Sequence, residues 1–206
     1  MILTHGANSL KVEDDSKVTI GGRDYPVVKI GNQLWLAENL DYKFDGLVFN
    51  PPDWDSTSSN GCYFEGGQTP YKPEYGMIYN GYAMKYLNNN RATLLPSGWH
   101  VPSKNEFSTL ITAVGGTSVA GKKLKSTSGW DSGHGTDDSG FTALPAGARF
   151  YYGAWTGADS MTGYWTSTAN GNTESYRYKI RGEDDISEST YDNKYGYSIR
   201  LVKTVT

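Results

Sequence analysis

The residues able to do chemistry in this 206-residue chain are few: three histidines, one cysteine and a cluster of aspartates in a glycine-rich stretch. His100 lies in "LLPSGWHVPSKNEFSTL" (94–110), beside Trp99 and ahead of an amphipathic run. As a general base or metal ligand it would need partners, and no Ser-His-Asp order or His-Glu-x-x-His spacing supplies them. The other role is structural, a ring nitrogen bonded to a backbone carbonyl at the corner where a helix starts. The spacing favours that role, because Ser103-x-x-Glu106 ahead of Phe107, Leu110, Ile111 and Val114 is a capping box on an i, i+3, i+4, i+7 face. His5 sits near an unanchored terminus. Cys62 is the only cysteine, so no disulfide can form within the chain, and the lone thiol does not fix the redox compartment.

"WDSGHGTDDSGF" (130–141) offers different chemistry. Asp131, Asp137 and Asp138, with Ser139 and loop carbonyls, would present several hard oxygens to Ca²⁺, the one cofactor the sequence suggests. The spacing is not that of an EF-hand loop. The same aspartates could instead form Asx turns that bond their own backbone, and both readings stay open.

A third group would bind rather than react. From Trp165 to Tyr197 the chain is mostly Asn, Tyr, Ser, Thr, Asp, Gly, Glu and Arg, close to the alphabet of a paratope, in which stiff aromatics alternate with adaptable polar groups. Alternation along "ESYRYKIR" (174–181) turns Tyr176, Tyr178 and Ile180 inward and Ser175, Arg177, Lys179 and Arg181 outward. The expected ligand face is Asn170, Asn172, Glu174, Arg177, Lys179, Arg181, Asp184, Asp185, Tyr191, Asp192, Asn193 and Tyr195.

Bulk properties narrow the partners. A net charge of −3 argues against nucleic acid, which calls for a basic patch. Lys122, Lys123 and Lys125 read as a solvated edge. No apolar run reaches the ~18 residues of a membrane helix, so no membrane insertion is expected. The opening "MILTHGANSLKVEDD" lacks a signal peptide's apolar core. The 25 glycines, 16 tyrosines and 6 tryptophans suit a loop-rich β protein that binds at its surface.

These groups need a scaffold. "SKVTI-GG-RDYPVVKI-GN-QLWL" (16–36) reads as a β meander with two glycine turns. Val28 and Ile30 point to one face and Val27 and Lys29 to the other, and Leu34 and Leu36 oppose Trp35. Residues 44–76 form a long irregular excursion. A strand at Met77–Tyr79 leads into a short helix carrying Ala83, Met84 and Leu87, and the capped helix ends near Gly115-Gly116. "GYWTST", "ESYRYKIR" and "YGYSIRLVK" are strands. One domain spans 1–206, with about 1–23 an N-terminal extension or first hairpin.

The ordered segments "VVKIGNQLWLAENL", "YGMIYNGYAM", "LLPSGWHVPSKNEFSTL", "GFTALPAGAR", "GYWTST" and "YGYSIRLVK" resemble the Fibrobacter succinogenes major paralogous domain, from about Asp24 to Lys203. The resemblance implies an α+β, C-type-lectin-like fold: small antiparallel sheets, two short helices and long glycine-rich loops. It also implies export, since the family occurs on exported proteins of Bacteroidetes and Fibrobacteres and on some phage proteins. Within the wider superfamily, the calcium-dependent sugar motif (Glu-Pro-Asn or Gln-Pro-Asp, then Trp-Asn-Asp) is missing, and the copper-binding cysteine pair of the formylglycine-generating enzyme cannot be made from Cys62 alone. The expectation is therefore not an enzyme. It is an extracellular module, on a cell surface or virion, that binds a protein or glycan on another surface through the C-terminal hairpins. A diversity-generating retroelement of the kind that randomises Asn codons in lectin-fold proteins would account for the residue alphabet. The alternative is a non-catalytic structural or assembly domain of a bacterial surface protein. The ligand and the oligomeric state are left open.

Overall fold

Two glycine turns start the fold in the computed structural model, which describes residues 16–49, 61–64 and 72–205. The chain reverses at Gly21-Gly22 and again at Gly31-Asn32, with φ of 59°, 82° and 61° at the three glycines, a conformation that costs glycine no strain. These turns join β1 (Lys17–Ile20), β2 (Arg23–Ile30) and β3 (Gln33–Leu36) into an antiparallel meander. The last strand of the chain, β13 (Val202–Thr204), adds to β3 and completes a four-stranded sheet, so the two ends of the fold are tied together. Leu34 and Leu36 enter one core and Trp35 another, as alternation requires.

The second sheet begins in the excursion. β4 (Val48–Phe49) and β5 (Gly61–Phe64) precede β6 (Met77–Asn80), which feeds α1 (Gly81–Asn89) and the single turn α2 (Arg91–Leu94). Most of the excursion, like the N-terminal extension with His5, lies outside the described residues. After α3 (Lys104–Ala113) and α4 (Thr117–Leu124) come β7 (Ala146–Arg149), β8 (Trp155–Ala158), β9 (Met161–Asn170), β10 (Glu174–Arg181), β11 (Ile186–Asp192) and β12 (Gly196–Tyr197). The order is β11-β10-β9-β7-β12-β6-β5-β4, with β8 on β7.

The class is α+β and the pairing mostly antiparallel, but three expectations need correction. One sheet has nine strands rather than few, and β4–β5 and β7–β9 are parallel. Among the described residues four α-helices replace two. Gly115-Gly116 does end α3, yet Gly116 also caps the next helix, so the chain turns there instead of leaving helical structure. "YGYSIRLVK" divides into β12 and β13, which enter different sheets.

Two cores result. Trp35, Phe107, Phe141, Tyr164, Tyr178 and Ile180 pack between the α3–α4 pair and the β9–β10 ribbon. Phe107 stacks on Tyr178 at 4.7 Å and meets Trp35 edge-on at 5.1 Å. On the other side Leu34, Leu36, Tyr79, Met84, Leu87, Trp165 and Tyr197 enclose α1.

The corner at His100 is scaffold. Ser103 Oγ accepts from the Glu106 amide at 3.2 Å, and Glu106 Oε2 accepts from the Ser103 amide at 2.7 Å, closing the capping box. His100 extends it, with Nδ1 3.0 Å from the Gly98 carbonyl and Nε2 2.6 Å from Glu106 Oε1. The bond to Glu106 raises the His100 pKa above its ordinary value, with burial opposing. Burial pushes the Glu106 carboxyl up, but the bonds from His100 and Ser103 outweigh it and hold the pKa at about 2. A lowered carboxylate adds stability above its unfolded value, roughly 4.3, that is lost as pH falls toward 2. A raised histidine adds stability below its unfolded value, roughly 6.5, that is lost as pH rises through the folded one. The stability gap between wild type and Glu106→Gln should therefore peak between about pH 4.5 and 6.5. Melting curves at about pH 3, 5.5 and 8.5 check this, and a gap that does not change with pH would remove the pair from the stability of the corner.

Candidate functional site: a cationic aromatic cleft on the C-terminal ribbon

β10 is the middle strand of an antiparallel ribbon, paired with β9 and β11. One face lies under α3: Tyr178 and Ile180 are buried there, Ile180 opposite Ile186. Glu188, opposite Tyr178, accepts from its hydroxyl at 2.7 Å and pairs with Lys104 at 2.7 Å. Tyr176 is on the same side but only half-buried, with the Lys104 ammonium 4.3 Å above its ring. It caps the end of the core and is not part of it.

The opposite face carries Ser175, Arg177, Lys179 and Arg181. Alternation places these four together as expected, but that face is not all solvent. Ser175 is buried, and Arg177 is 3% exposed. The cause is the next stretch of chain, which folds back over them. The Arg177 guanidinium lies 4.2 Å from the ring centre of Tyr191 and 4.8 Å from that of Tyr197. Tyr197 reaches this position across Gly163, where a Cβ would stand 2.5 Å from its ring. Asn193, expected outward, is fully buried: its Oδ1 accepts from Ser175 Oγ at 2.8 Å, and its carbonyl accepts from the Gly81 amide at 2.7 Å, fixing the start of α1.

The other expected face residues divide between the ends of the ribbon. Asn170, Asn172 and Glu174 are at the β9–β10 turn, where Asn170 bonds Glu174 at 2.8 Å, and Asp192 sits opposite Glu174. Asp184 and Asp185 are exposed at the β10–β11 turn, at the far end of the strand. At ~3.3 Å per residue these ends stand about 25 Å apart, so the twelve residues do not form one patch.

What does converge is a cavity of about 130 Å³ in the middle, lined by Arg177, Lys179, Arg181, Tyr191 and Tyr195 from the expected set. Ala148, Arg149, Phe150, Thr156, Met161 and Tyr197 complete it. These six come from "ARFYYGAWTGADSM" (148–161) and from β12, outside the expected ligand face. The usable signal was "RFYY", four bulky residues in a row in a glycine-rich stretch. Phe150 stacks on Tyr152 at 5.2 Å and meets Tyr195 edge-on at 5.6 Å, and Tyr195 contacts Tyr191 at 5.1 Å. Tyr151 and Tyr152 stand at the rim, 44% and 63% exposed.

The lining is cationic, and no carboxylate belongs to its described residues. Burial lowers the Lys179 pKa, and the neighbouring Arg181 and Arg177 charges lower it further. Asp192, the nearest acid in sequence, turns its carboxylate to the Lys194 amide at 2.9 Å.

The three aspartates of the glycine-rich loop are not gathered into one cluster. Asp131 and Asp138 are exposed and separate, while the Asp137 carboxylate accepts from the Thr142 amide at 2.8 Å and its hydroxyl at 2.7 Å. Among the described residues no three His, Cys, Asp or Glu side chains are grouped to hold a metal. Asp137 follows the turn-forming reading. Lys125, read as part of a solvated edge, is fully buried.

A family model described as the Fibrobacter succinogenes major domain matches residues 28–203. The match covers most of the chain and every element of the cleft, and the chain belongs to that family. No curated protein and no solved structure matches it.

Proposed function

We propose that this chain is a non-catalytic ligand-binding module of C-type-lectin-like fold, displayed on a cell surface or virion, that recognises a glycan or protein through the cleft over β10. The observation that carries the reading is the cleft itself: stiff aromatic rings and a surplus of cations gathered on one face, with a rim of exposed tyrosines. Pockets of this composition take ligands with both flat and charged parts. The lectin-like part draws support from the pairing of β3 with β13, which ties the last described strand back to the first meander, and from the helices that precede the β9–β11 ribbon. The retroelement version is narrower. It calls for clustered Asn-derived codons in 170–195 and a near-identical copy downstream, and burial of Arg177 and Asn193 confines free variation to the remaining positions.

Lys179→Ser and Arg181→Ser together should leave stability within about 1 kcal/mol and abolish binding to a glycan array and to a panel of bacterial cells. Asn172→Ser, at the distant turn, should change neither. If the double variant binds as the wild type does, the cleft is not the recognition surface, and the assembly-domain reading takes its place.

A further inference from the structure

We propose that the cavity beneath Tyr191, Tyr195 and Tyr197 is an anion pocket in which Arg177 receives the carboxylate of an acidic sugar residue. This rests on the ligand-binding reading above and names its ligand class.

The argument starts from a contrast between two buried arginines. Arg200, fully buried, donates to the Asn39 side chain and to the carbonyls of Leu36, Phe141 and Thr142. The fold can therefore satisfy an interior guanidinium. Arg177, 3% exposed, is treated differently: a side-chain hydrogen bond links it to Tyr197, but its Nε and Nη1 are buried and meet no hydrogen-bond acceptor among the described residues. A guanidinium does not shed its proton at any ordinary pH. A buried charge without a counter-charge is costly, and the two tyrosine faces offset only part of that cost. A carboxylate in the adjoining cavity supplies the missing acceptor and the missing charge, and arginine with carboxylate is the geometrically matched pair.

The surroundings select the body that carries the carboxylate. The cavity, about 130 Å³, suits one ring-sized residue and not a length of peptide. Phe150, Tyr191, Tyr195 and Tyr197 bring aromatic rings to its lining, and the C–H faces of a pyranose pack on such rings. Past Thr156, Met161 and Arg181 it opens into a wider groove of about 450 Å³, also lined by Ser132, Ser160 and Glu183. Hydroxyls and a carboxylate there match the hydroxyls of the next sugar residues. A bare inorganic anion would leave both the rings and the groove unused.

The test uses the whole chain and four probes: a linear trisaccharide with a single terminal uronic acid, its neutral counterpart, sodium acetate and a triglutamate peptide. Calorimetric titration and melting curves are read for wild type, Arg177→Met and Lys179→Gln. The uronate should bind and raise the wild-type melting temperature, because it binds only the native state, while the neutral sugar should not. Arg177→Met should melt no lower than wild type without ligand, since it removes an uncompensated charge, and should lose at least ten-fold in uronate affinity. Lys179→Gln should lose less, and its loss should shrink with added salt. If Arg177→Met melts far below wild type and Lys179→Gln binds uronate unchanged, Arg177 is a structural plug and the proposal fails. Acetate binding as tightly as the uronate removes the sugar, and binding of triglutamate alone transfers the pocket to acidic proteins. If no probe binds while wild type still binds cells, the acid-sugar inference falls and the ligand-binding module stands.

Discussion

Arg200→Ala is expected to leave the domain unfolded, or nearly so, at ambient temperature. The side chain has no exposed surface, and its donors reach two separate parts of the chain. Nε bonds Asn39 Oδ1 at 2.8 Å, Nη1 bonds the Leu36 carbonyl at 3.0 Å and also that of Phe141, and Nη2 bonds the Thr142 carbonyl at 2.9 Å. Asn39 passes the link on, donating to the Tyr75 carbonyl at 2.9 Å. The guanidinium also lies 4.4 Å from the ring centre of Phe141, in the core that holds Trp35. One residue thus joins the end of β3 to the loop before β7 and, through Asn39, to the turn before β6. Truncation strands several buried acceptors and opens a cavity, together on the order of 5 kcal/mol, while domains of this kind hold only about 5–15 kcal/mol in all. Arg200→Lys, which keeps the charge but not the fork, should fall between. Chemical denaturation of the three proteins measures the series. An alanine variant melting within a few degrees of wild type would falsify the keystone role.

The residues around Arg200 show what a sequence can and cannot disclose. Local rules worked where the cause was local. The Ser103–Glu106 box, the glycine turns at 21–22 and 31, and the opposed faces of Leu34 and Trp35 each depend on neighbours within a few positions. So did the division of β10 into two faces. What alternation cannot say is whether a face meets water. Arg177 is buried because Tyr191 and Tyr197, 14 and 20 positions later, return over it. Asn193 is buried because α1 begins against it. The cleft was half-legible for the same reason. Its C-terminal half belongs to the Tyr- and Arg-rich segment that attracted attention, whereas Arg149, Phe150 and Met161 join it only through β7 and β8 beside β9. The aspartates of 131–138 were legible as oxygen donors but not as separate ones, since their directions depend on the turn that Asp137 makes with Thr142.

Lys125→Met should lower stability by about 2–4 kcal/mol, whereas Lys122→Met and Lys123→Met should each stay within about 0.5 kcal/mol. The three lysines look alike in sequence and differ entirely in setting. Lys122 is half-exposed and lies 3.6 Å from an exposed Asp184 carboxylate, a contact that water screens. Lys125 follows the last residue of α4 and turns inward. Its ammonium donates to the Gly182 carbonyl at 3.1 Å, the Glu183 carbonyl at 2.9 Å and the Gly133 carbonyl, and stands 5.3 Å from the Trp130 ring centre. A single cation therefore pins two loops together, the 132–135 turn and the β10–β11 turn. Methionine fills much of the space but donates nothing, so three carbonyls must find water or remain unpaired, and the loops should part to let water in. Because Gly182 and Glu183 also line the open groove beside Arg181, the loosening should reach one end of the cleft. Hydrogen exchange in Lys125→Met should accelerate at 132–135 and 182–185 and remain unchanged at Tyr191 and Tyr197. Uniform acceleration across the domain would mean that Lys125 supports the core as a whole. Protection in those two loops equal to wild type would mean that their own backbone contacts suffice, and that the buried ammonium holds nothing in place.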